Sequence, residues 1–353
     1  MKVLAAMSGG VDSSVAALLL LERGWRVVGC TMKLFDRADP DEPRGRTCCS
    51  LDDAEDARAV ARRLGIPYAV FNFTEAFSGE VLDRFVRCYR SGVTPNPCID
   101  CNRYLKFGAL LRRAEVLGCD RLATGHYARI ERKNGRYLLK KALDPSKDQS
   151  YVLYFLSQDQ LARTEFPLGG LLKAEVRAIA ERHGFVNARK PDSQDLCFVP
   201  DGDVAGAVER LSGRAGEPGA FLDPDGRILG RHQGIARYTV GQRRGLGLSA
   251  GAPLYVCGIS AADNTVTLGP REALFSSEAA AGDFHWISGE APKTPFRCRA
   301  RIRYRQPEQP ALAVPGADGV VRLRFDEPQR AVTPGQAAVL YDGDLVLGGG
   351  TLL

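Results

Sequence analysis

Met7-Ser8-Gly9-Gly10-Val11-Asp12-Ser13-Ser14 is the stretch whose reading decides the fold. An apolar run, Val3-Leu4-Ala5-Ala6, precedes it, and a second, Val15 to Leu21, follows and stops at Gly24. That order reads as strand, glycine turn, helix. The two glycines permit a tight turn and a close backbone approach to a ligand. Ser13 and Ser14 open the helix, where unpaired N–H groups and the helix dipole favour an anion. The stretch is therefore a candidate phosphate cradle. It lacks Gly-x-x-x-x-Gly-Lys-[Ser/Thr], and with it the lysine that reaches the outer phosphates of other nucleotide loops. It also lacks the Gly-x-Gly-x-x-Gly dinucleotide fingerprint.

Ser8-Gly9-Gly10-Val11-Asp12-Ser13 resembles the PP-loop of the ATP pyrophosphatases. That resemblance implies ATP with Mg2+, split between its α and β phosphates to adenylate a substrate oxygen. It places Ala6, Met7, Ser8, Gly9, Gly10, Val11, Asp12 and Ser13 against the nucleotide.

Composition bounds the rest. The 353 residues suffice for two or three domains, and 44% hydrophobic with 25% charged residues is the balance of a soluble globular chain. A net charge of +6 permits a nucleic-acid partner without demanding one. The N-terminal apolar run meets Gly9, Gly10 and Asp12 too soon for a signal peptide, and no run is long enough to cross a membrane. Ten cysteines without a secretory signal point to a reducing, cytoplasmic setting, where clustered cysteines serve catalysis or metals.

Working outward, Arg26 to Met32 reads as a second strand, followed by a polar loop from Asp36 to Arg46. Leu51 to Leu64 has helical spacing, with Ser50 as cap, Asp52 and Asp53 at its positive end, and Gly65 and Pro67 as stops. Tyr68 to Phe73 is a third strand and Val81 to Arg90 a helix. The alternation implies a parallel sheet with ligands at the carboxyl ends of its strands. After Pro95 and Pro97 a helix is expected from Cys101 to Leu117, which puts Cys101 in the first turn, where the dipole lowers a thiol pKa. Arg121 to Thr124 is a short strand, and a hairpin turns at Asn134-Gly135. An aromatic-rich helical stretch should follow Ser150, and Lys173 to His183 is a helix stopped by Gly184. Beyond about Pro200 helical periodicity fades and short alternating strands take over. The expected architecture is α/β: a parallel-sheet PP-loop (adenine nucleotide α-hydrolase-like) domain over 1–205, a small central domain over 206–272, and a C-terminal β-barrel over 273–353.

Cys98-x-x-Cys101 alone fits half a zinc site, a redox pair or part of an iron–sulfur site. No second Cys-x-x-Cys exists to complete a zinc knuckle. The pair becomes informative in company. Pro95-Asn96-Pro97-x-x-x-Cys101-Asn102, Thr124-Gly125-His126-Tyr127, Lys147-Asp148-Gln149-Ser150 and Asp192-Ser193-x-x-x-Cys197-Phe198 occur in that order. Gly241-Gln242-Arg243-Arg244-Gly245-Leu246-Gly247, Arg303-Tyr304-Arg305-Gln306 and Val332-Thr333-Pro334-Gly335-Gln336 follow. Together they resemble, nearly end to end, the bacterial tRNA-specific 2-thiouridylases of the PP-loop superfamily, which put sulfur on the wobble uridine.

The resemblance implies adenylation of the uridine O2, then sulfur transfer from a persulfide on Cys197 with Cys101 as partner thiol, the two passing through a disulfide. It implies that Met32 and Gly125 contact the nucleotide. It assigns Asn96, Pro97, Cys98, His126, Lys147, Asp148, Gln149, Arg303, Tyr304 and Gln336 to tRNA, of the Lys, Glu and Gln types, with a cysteine desulfurase or sulfur-relay protein as donor. A histidine after a strand equally suits a loop-orienting role. One position departs from the family: many members carry aspartate where this chain has Cys98, and cysteine replaces a general acid or base poorly. Cys98, Cys101 and Cys197 instead offer three ligands for a [4Fe-4S] cluster, an alternative route for the sulfur. Two readings of other classes stand beside this one. A PP-loop amide-forming ligase needs no cysteines, and an RNA-binding module releases no pyrophosphate. Cys48 and Cys49 receive no role, and Cys30, Cys88, Cys119, Cys257 and Cys298 read as small core residues.

Overall fold

The structure is a computed structural model that describes residues 1–35, 51–192, 196–199, 201–248 and 251–353. The loop expected over Asp36–Arg46, the Ser50 cap, Cys48, Cys49 and Ser193 lie outside the described residues.

In chain order the first seven strands are β1 (Lys2–Ala6), β2 (Arg26–Lys33), β3 (Tyr68–Asn72), β4 (Arg121–Ala123), β5 (Ala128–Lys133), β6 (Arg136–Lys141) and β7 (Thr164–Glu165). Five of them pair in parallel in the order β3-β2-β1-β4-β7. Helix α1 (Val11–Glu22) connects β1 to β2, and α2 (Leu51–Leu64) precedes β3 with the bounds its periodicity predicts. Val3, Leu4 and Ala5 are buried, as a central parallel strand requires. Strand order turns back between β1 and β4. Such a switch point leaves a crevice at the strands' carboxyl ends, and the glycine turn after β1 opens into it.

One face of the sheet packs Val15, Ala57, Val60, Val176 and Ala180 from α1, α2 and the helix Lys173–Arg182. The other packs Leu4, Met32 and Leu122 against Leu105, Phe107 and Tyr151, and through them against Val339 and Tyr341. β8 (Gly219–Leu222), β9 (Ile228–His232), β10 (Tyr255–Ser260) and β11 (Thr265–Gly269) form a separate four-stranded sheet around Phe221, Val256 and Val266. The last six strands are β12 (Phe275–Trp286), β13 (Phe296–Arg301), β14 (Gln309–Pro315), β15 (Val321–Arg330), β16 (Ala337–Asp342) and β17 (Leu345–Leu352).

 They close into a barrel through pairing of β12 with both β15 and β17 (Leu345–Leu352), around Ala300, Ala311, Leu323 and Leu340. Among the described residues, no helix is long and apolar enough to cross a membrane.

Four details depart from the sequence reading. A helix, Val204–Ser212, lies beyond residue 200; Ala207 and Val208 dock on Phe85 and Tyr89, so its short apolar stripe serves the first domain. The Asn134-Gly135 hairpin turns as expected, with φ of 51° and 79°, but β6 then joins β17 at Lys140 and Leu345 and extends the barrel sheet. The aromatic stretch after Ser150 is only a 3-10 turn, Ser150–Leu153: Tyr151 through Leu156 are all buried, so no solvent-facing stripe imposes a helical period. The cysteine helix begins at Pro97, capped by the Asn96 side chain, which accepts from the Cys98 amide at 3.2 Å. Cys98, not Cys101, therefore occupies the first turn; Cys101 stands one turn further in, where a π-helical stretch (Cys101–Leu110) starts.

Asp100, between those cysteines, is 7% exposed, and its carboxylate lies 3.4 Å from Arg84 Nε. Burial pushes its carboxyl up to about 6, against the pull of Arg84 and Arg103. The folded chain thus keeps a proton that the unfolded chain gives up at lower pH, and this group's stabilisation is lost as pH rises through about 4 to 6. Asp100→Asn removes that loss. Its stability relative to the parent should rise by up to about 3 kcal/mol between pH 4 and pH 7. Urea unfolding at both pH values checks it, and a pH-independent difference would contradict it.

Candidate active site

The crevice at the switch point is a cavity of about 740 Å³. Its floor is the first turn of α1, whose N-cap is Gly10 and whose first-turn acid is Asp12. The turn is braced from within. Ser13 Oγ accepts from the Ser8 amide at 3.0 Å and donates to Gly10 O at 3.1 Å, and Ser14 Oγ donates to Gly10 O at 3.0 Å. Asn187 reaches in from a distant segment, its amide donating to Gly9 O at 2.8 Å and to Ser14 Oγ at 2.9 Å. Two glycines make the close approaches. Gly9 has φ +74°, and a Cβ there would lie 2.2 Å from Asp53 O; a Cβ on Gly125 would lie 2.8 Å from Ser13 N. Any side chain at Gly125 would press on the N–H groups that make this turn attractive to an anion.

Ala6, Met7, Ser8, Gly10, Val11, Asp12, Ser13, Met32 and Gly125 line the cavity, while Gly9 stands just behind it. Asp12 is held at one oxygen by the Tyr127 hydroxyl (2.7 Å) and at both by Lys173 Nζ (2.6 and 2.8 Å). Burial, with Asp12 alongside, pushes the Tyr127 hydroxyl far up, so it stays a donor. Lys190 pairs with Asp53 and Asp56, each at 2.6 Å. Asp192 gathers Lys147, Lys173 and Arg177, each at 2.8 Å. Burial alone would raise its carboxyl, but Lys147 and Lys173 hold it down at about 2.

Pro97, Cys98, Cys101 and Cys197 line the same cavity, Cys98 exposed and the other two cysteines half-buried. A [4Fe-4S] cluster on Cys98, Cys101 and Cys197 needs three converging donors. Among the described residues no group of three Cys, His, Asp or Glu converges as a metal site, so these residues do not fit a cluster as arranged. Magnesium asks less of the protein, commonly one or two carboxylates with substrate phosphates supplying the rest. Asp12, at the cradle, meets that requirement.

The remaining residues expected to meet tRNA divide in two. His126, Lys147, Asp148, Gln149 and Tyr304 line the cavity. His126 is 7% exposed, its Nδ1 sharing a hydrogen bond with Thr124 Oγ1 at 2.7 Å, between the rings of Phe107 and Phe166. Burial and the nearby Lys106 push its pKa down, leaving a neutral imidazole. Tyr304 is 39% exposed over the Tyr151 ring, an open aromatic face. Asp148 is 8% exposed and accepts from the Ala142 and Ser150 amides and the Ser150 hydroxyl, at 3.1, 3.2 and 2.9 Å. Gln149 and Tyr127 exchange two hydrogen bonds, both 2.9 Å. The Lys-Asp-Gln segment thus fastens its own loop.

Asn96, Arg303 and Gln336 do not line the cavity. Asn96 caps the cysteine helix. Arg303 donates to Val240 O at 2.7 Å and to Thr333 Oγ1. Gln336 donates to Thr94 O at 2.9 Å and Pro95 O at 3.3 Å, while the Thr94 amide donates to Pro334 O at 3.0 Å. The Val-Thr-Pro-Gly-Gln loop of the barrel therefore grips the strap that leads into the cysteine helix. Sequence reasoning missed Tyr127, Lys173, Asn187 and Lys190. Only Lys173 carried a local signal: a cation at the first position of a helix opposes the dipole.

Family models match three consecutive stretches of the chain. Residues 1–201 match the family model described as the tRNA methyl transferase HUP domain, 210–270 its PRC-barrel domain, and 276–352 the aminomethyltransferase beta-barrel domain. The chain is 50% identical over 357 residues to the tRNA-specific 2-thiouridylase MnmA of Symbiobacterium thermophilum, covering 99% of this chain and 92% of that one. It is 51% identical over 350 residues to the protein of that name from Moorella thermoacetica, with 98% of each chain covered. Identity this high over matching lengths, on a chain whose first α1 turn and cysteines share one cavity, shows that it belongs to the tRNA-specific 2-thiouridylases, a family of sulfur-transferring enzymes.

Proposed function

We propose that the cavity activates the wobble uridine of tRNA with ATP and then replaces its O2 by sulfur held on Cys197. The observation that carries this reading is the shared wall: the first turn of α1 and the three cysteines line one space. A uracil carbonyl oxygen is a very poor leaving group. Adenylation at O2 makes AMP the leaving group and releases pyrophosphate. The N-terminus of α1 receives the phosphates. Mg2+, when bound with ATP on Asp12, would neutralise phosphate charge. Tyr304 offers its open face for base stacking, and neutral His126 and Lys106 stand at the same wall. Arg301 and Arg305 also line the cavity and supply positive charge for RNA phosphates.

A Cys197 persulfide attacks C2 through its terminal sulfur and expels AMP. The Cys101 thiolate then attacks the Cys197 sulfur, leaving the outer sulfur on the base and forming a Cys101–Cys197 disulfide. Alternatively Cys101 attacks the persulfide first and frees hydrosulfide, which attacks C2. Both orders end in 2-thiouridine and one disulfide, which a thiol reductant reopens. A cysteine desulfurase or a persulfide relay supplies the outer sulfur, and tRNAs for Lys, Glu and Gln are the substrates implied by the family. The cytoplasm is the compartment that suits reduced thiols and tRNA.

The decisive experiment incubates the chain with tRNA, ATP and a persulfide donor and weighs the wobble nucleoside; an unchanged oxygen at position 2 refutes the reading. Variants divide the two halves. Asp12→Asn should slow tRNA-dependent pyrophosphate release about 100-fold or more, whereas Cys197→Ser should release pyrophosphate and leave the tRNA unthiolated. Normal thiolation by Cys197→Ser would sink the catalytic assignment. Gly125→Ala should raise the KM for ATP by roughly tenfold or more through its clash with the α1 first turn. Steady-state pyrophosphate release measures this, and an unchanged KM argues against that turn as the phosphate site.

A further inference from the structure

Lys173 belongs to neither the phosphate loop nor the cysteine wall, yet its ammonium joins the segments that carry them. It opens the helix Lys173–Arg182, at the dipole end that disfavours a cation. A residue kept against local preference marks a constraint from elsewhere. Its side chain is 11% exposed, and its amide donates to Asp144 Oδ2 at 3.0 Å, which fixes the backbone. Nζ stands 2.6 and 2.8 Å from the two oxygens of Asp12 and 2.8 Å from Asp192 Oδ1. Lys147 and Arg177 hold Asp192 in turn, and the Tyr127 ring lies 5.8 Å from Nζ.

Asp12 poses an electrostatic problem. The N-terminus of α1 attracts an anion, but a bare carboxylate in its first turn repels one. At partly buried distances that repulsion would weaken a polyphosphate roughly 10- to 100-fold. We infer that Lys173 is a positioning residue of the activation step: anchored by Asp192, it orients and neutralises Asp12 so that α1 accepts a triphosphate. The inference rests on the reading that the cavity binds ATP.

Equilibrium binding of ATP and of adenosine to the full chain, in EDTA, tests it. Lys173→Met should weaken ATP roughly 10- to 100-fold and leave uncharged adenosine unaffected. Lys173→Arg should bind ATP nearly as the parent does. The double variant Asp12→Asn/Lys173→Met restores the pair's neutrality and should bring ATP affinity back to within about threefold of the parent. A double variant as weak as Lys173→Met, or an equal loss of adenosine, overturns the inference, because a purely structural or phosphate-contacting lysine is not rescued by removing Asp12. If Lys173→Met fails to fold, the double variant still decides, since it leaves no lone buried charge; ATP affinity about tenfold or more below the parent then overturns the role. Absence of ATP binding by the parent chain in EDTA overturns this inference, and its absence with Mg2+ as well refutes the ATP reading itself.

Discussion

The first turn of α1 must keep its N–H groups open to a cavity while the rest of the domain closes around it. That constraint shapes the neighbourhood. A helix terminus leaves unpaired donors, and they attract an anion only if no protein group fills the space first. β4 therefore exits through Gly125, because a Cβ there would stand 2.8 Å from Ser13 N. The start of α2 reaches the loop only because Gly9 is bare at φ +74°. Asn187 and the two serines take up the loop's own acceptors, so the turn is rigid before a ligand arrives. The parallel sheet supplies the crevice, and the glycines keep it open.

The barrel reaches the entry of the cysteine helix. Gln336 and Pro334 hold the strap at Thr94 and Pro95, and Gly335 lets the two backbones meet: a Cβ on it would lie 2.9 Å from Thr94 O. The strap leads directly into Pro97 and the Asn96 cap, and so into Cys98 and Cys101. Thiol position is thus set from two sides, by the α/β domain under the helix and by the barrel at its entry. The core tells the same story, since Tyr151 packs in one cluster with Leu105 and Val339 and donates to Ala337 O at 2.8 Å. Residues from the far end of the sequence thus help fix the entry of the cysteine helix.

Local chemistry was legible in the sequence and long-range pairing was not. The α2 bounds, the glycine turn after β1 and the Asn134-Gly135 hairpin each follow from a few adjacent residues, and each is present. The family motifs brought most cavity-lining residues into view in the same way. What stayed hidden depends on partners far away. Nothing near Gln336 says that its amide meets Thr94, and nothing near Lys140 says that β6 will extend the barrel. Tyr151 to Leu156 misled for a physical reason: a segment buried on every side has no periodicity to read. Cys101 was placed in the first turn because the helix was started after the prolines, whereas Pro at the first helical position is favourable.

The two halves of the cavity differ in how they hold charge. In the phosphate half, Asp192 stays ionised down to about pH 2, the Tyr127 hydroxyl keeps its proton, and His126 is neutral. None of these three changes state near neutrality, so that half is electrostatically fixed before substrate binds. Fixed dipoles and charges need no reorganisation as charge develops, which is the condition under which they assist a reaction most. The cysteine wall is of another kind, because the proposed sulfur transfer has its thiols gain and lose bonds in turn. In the proposed reaction, an ionic floor beside such a wall lets activation and sulfur delivery share one space. The salt bridge from Lys173 to Asp192 ties the floor to a residue five positions before Cys197 in the sequence.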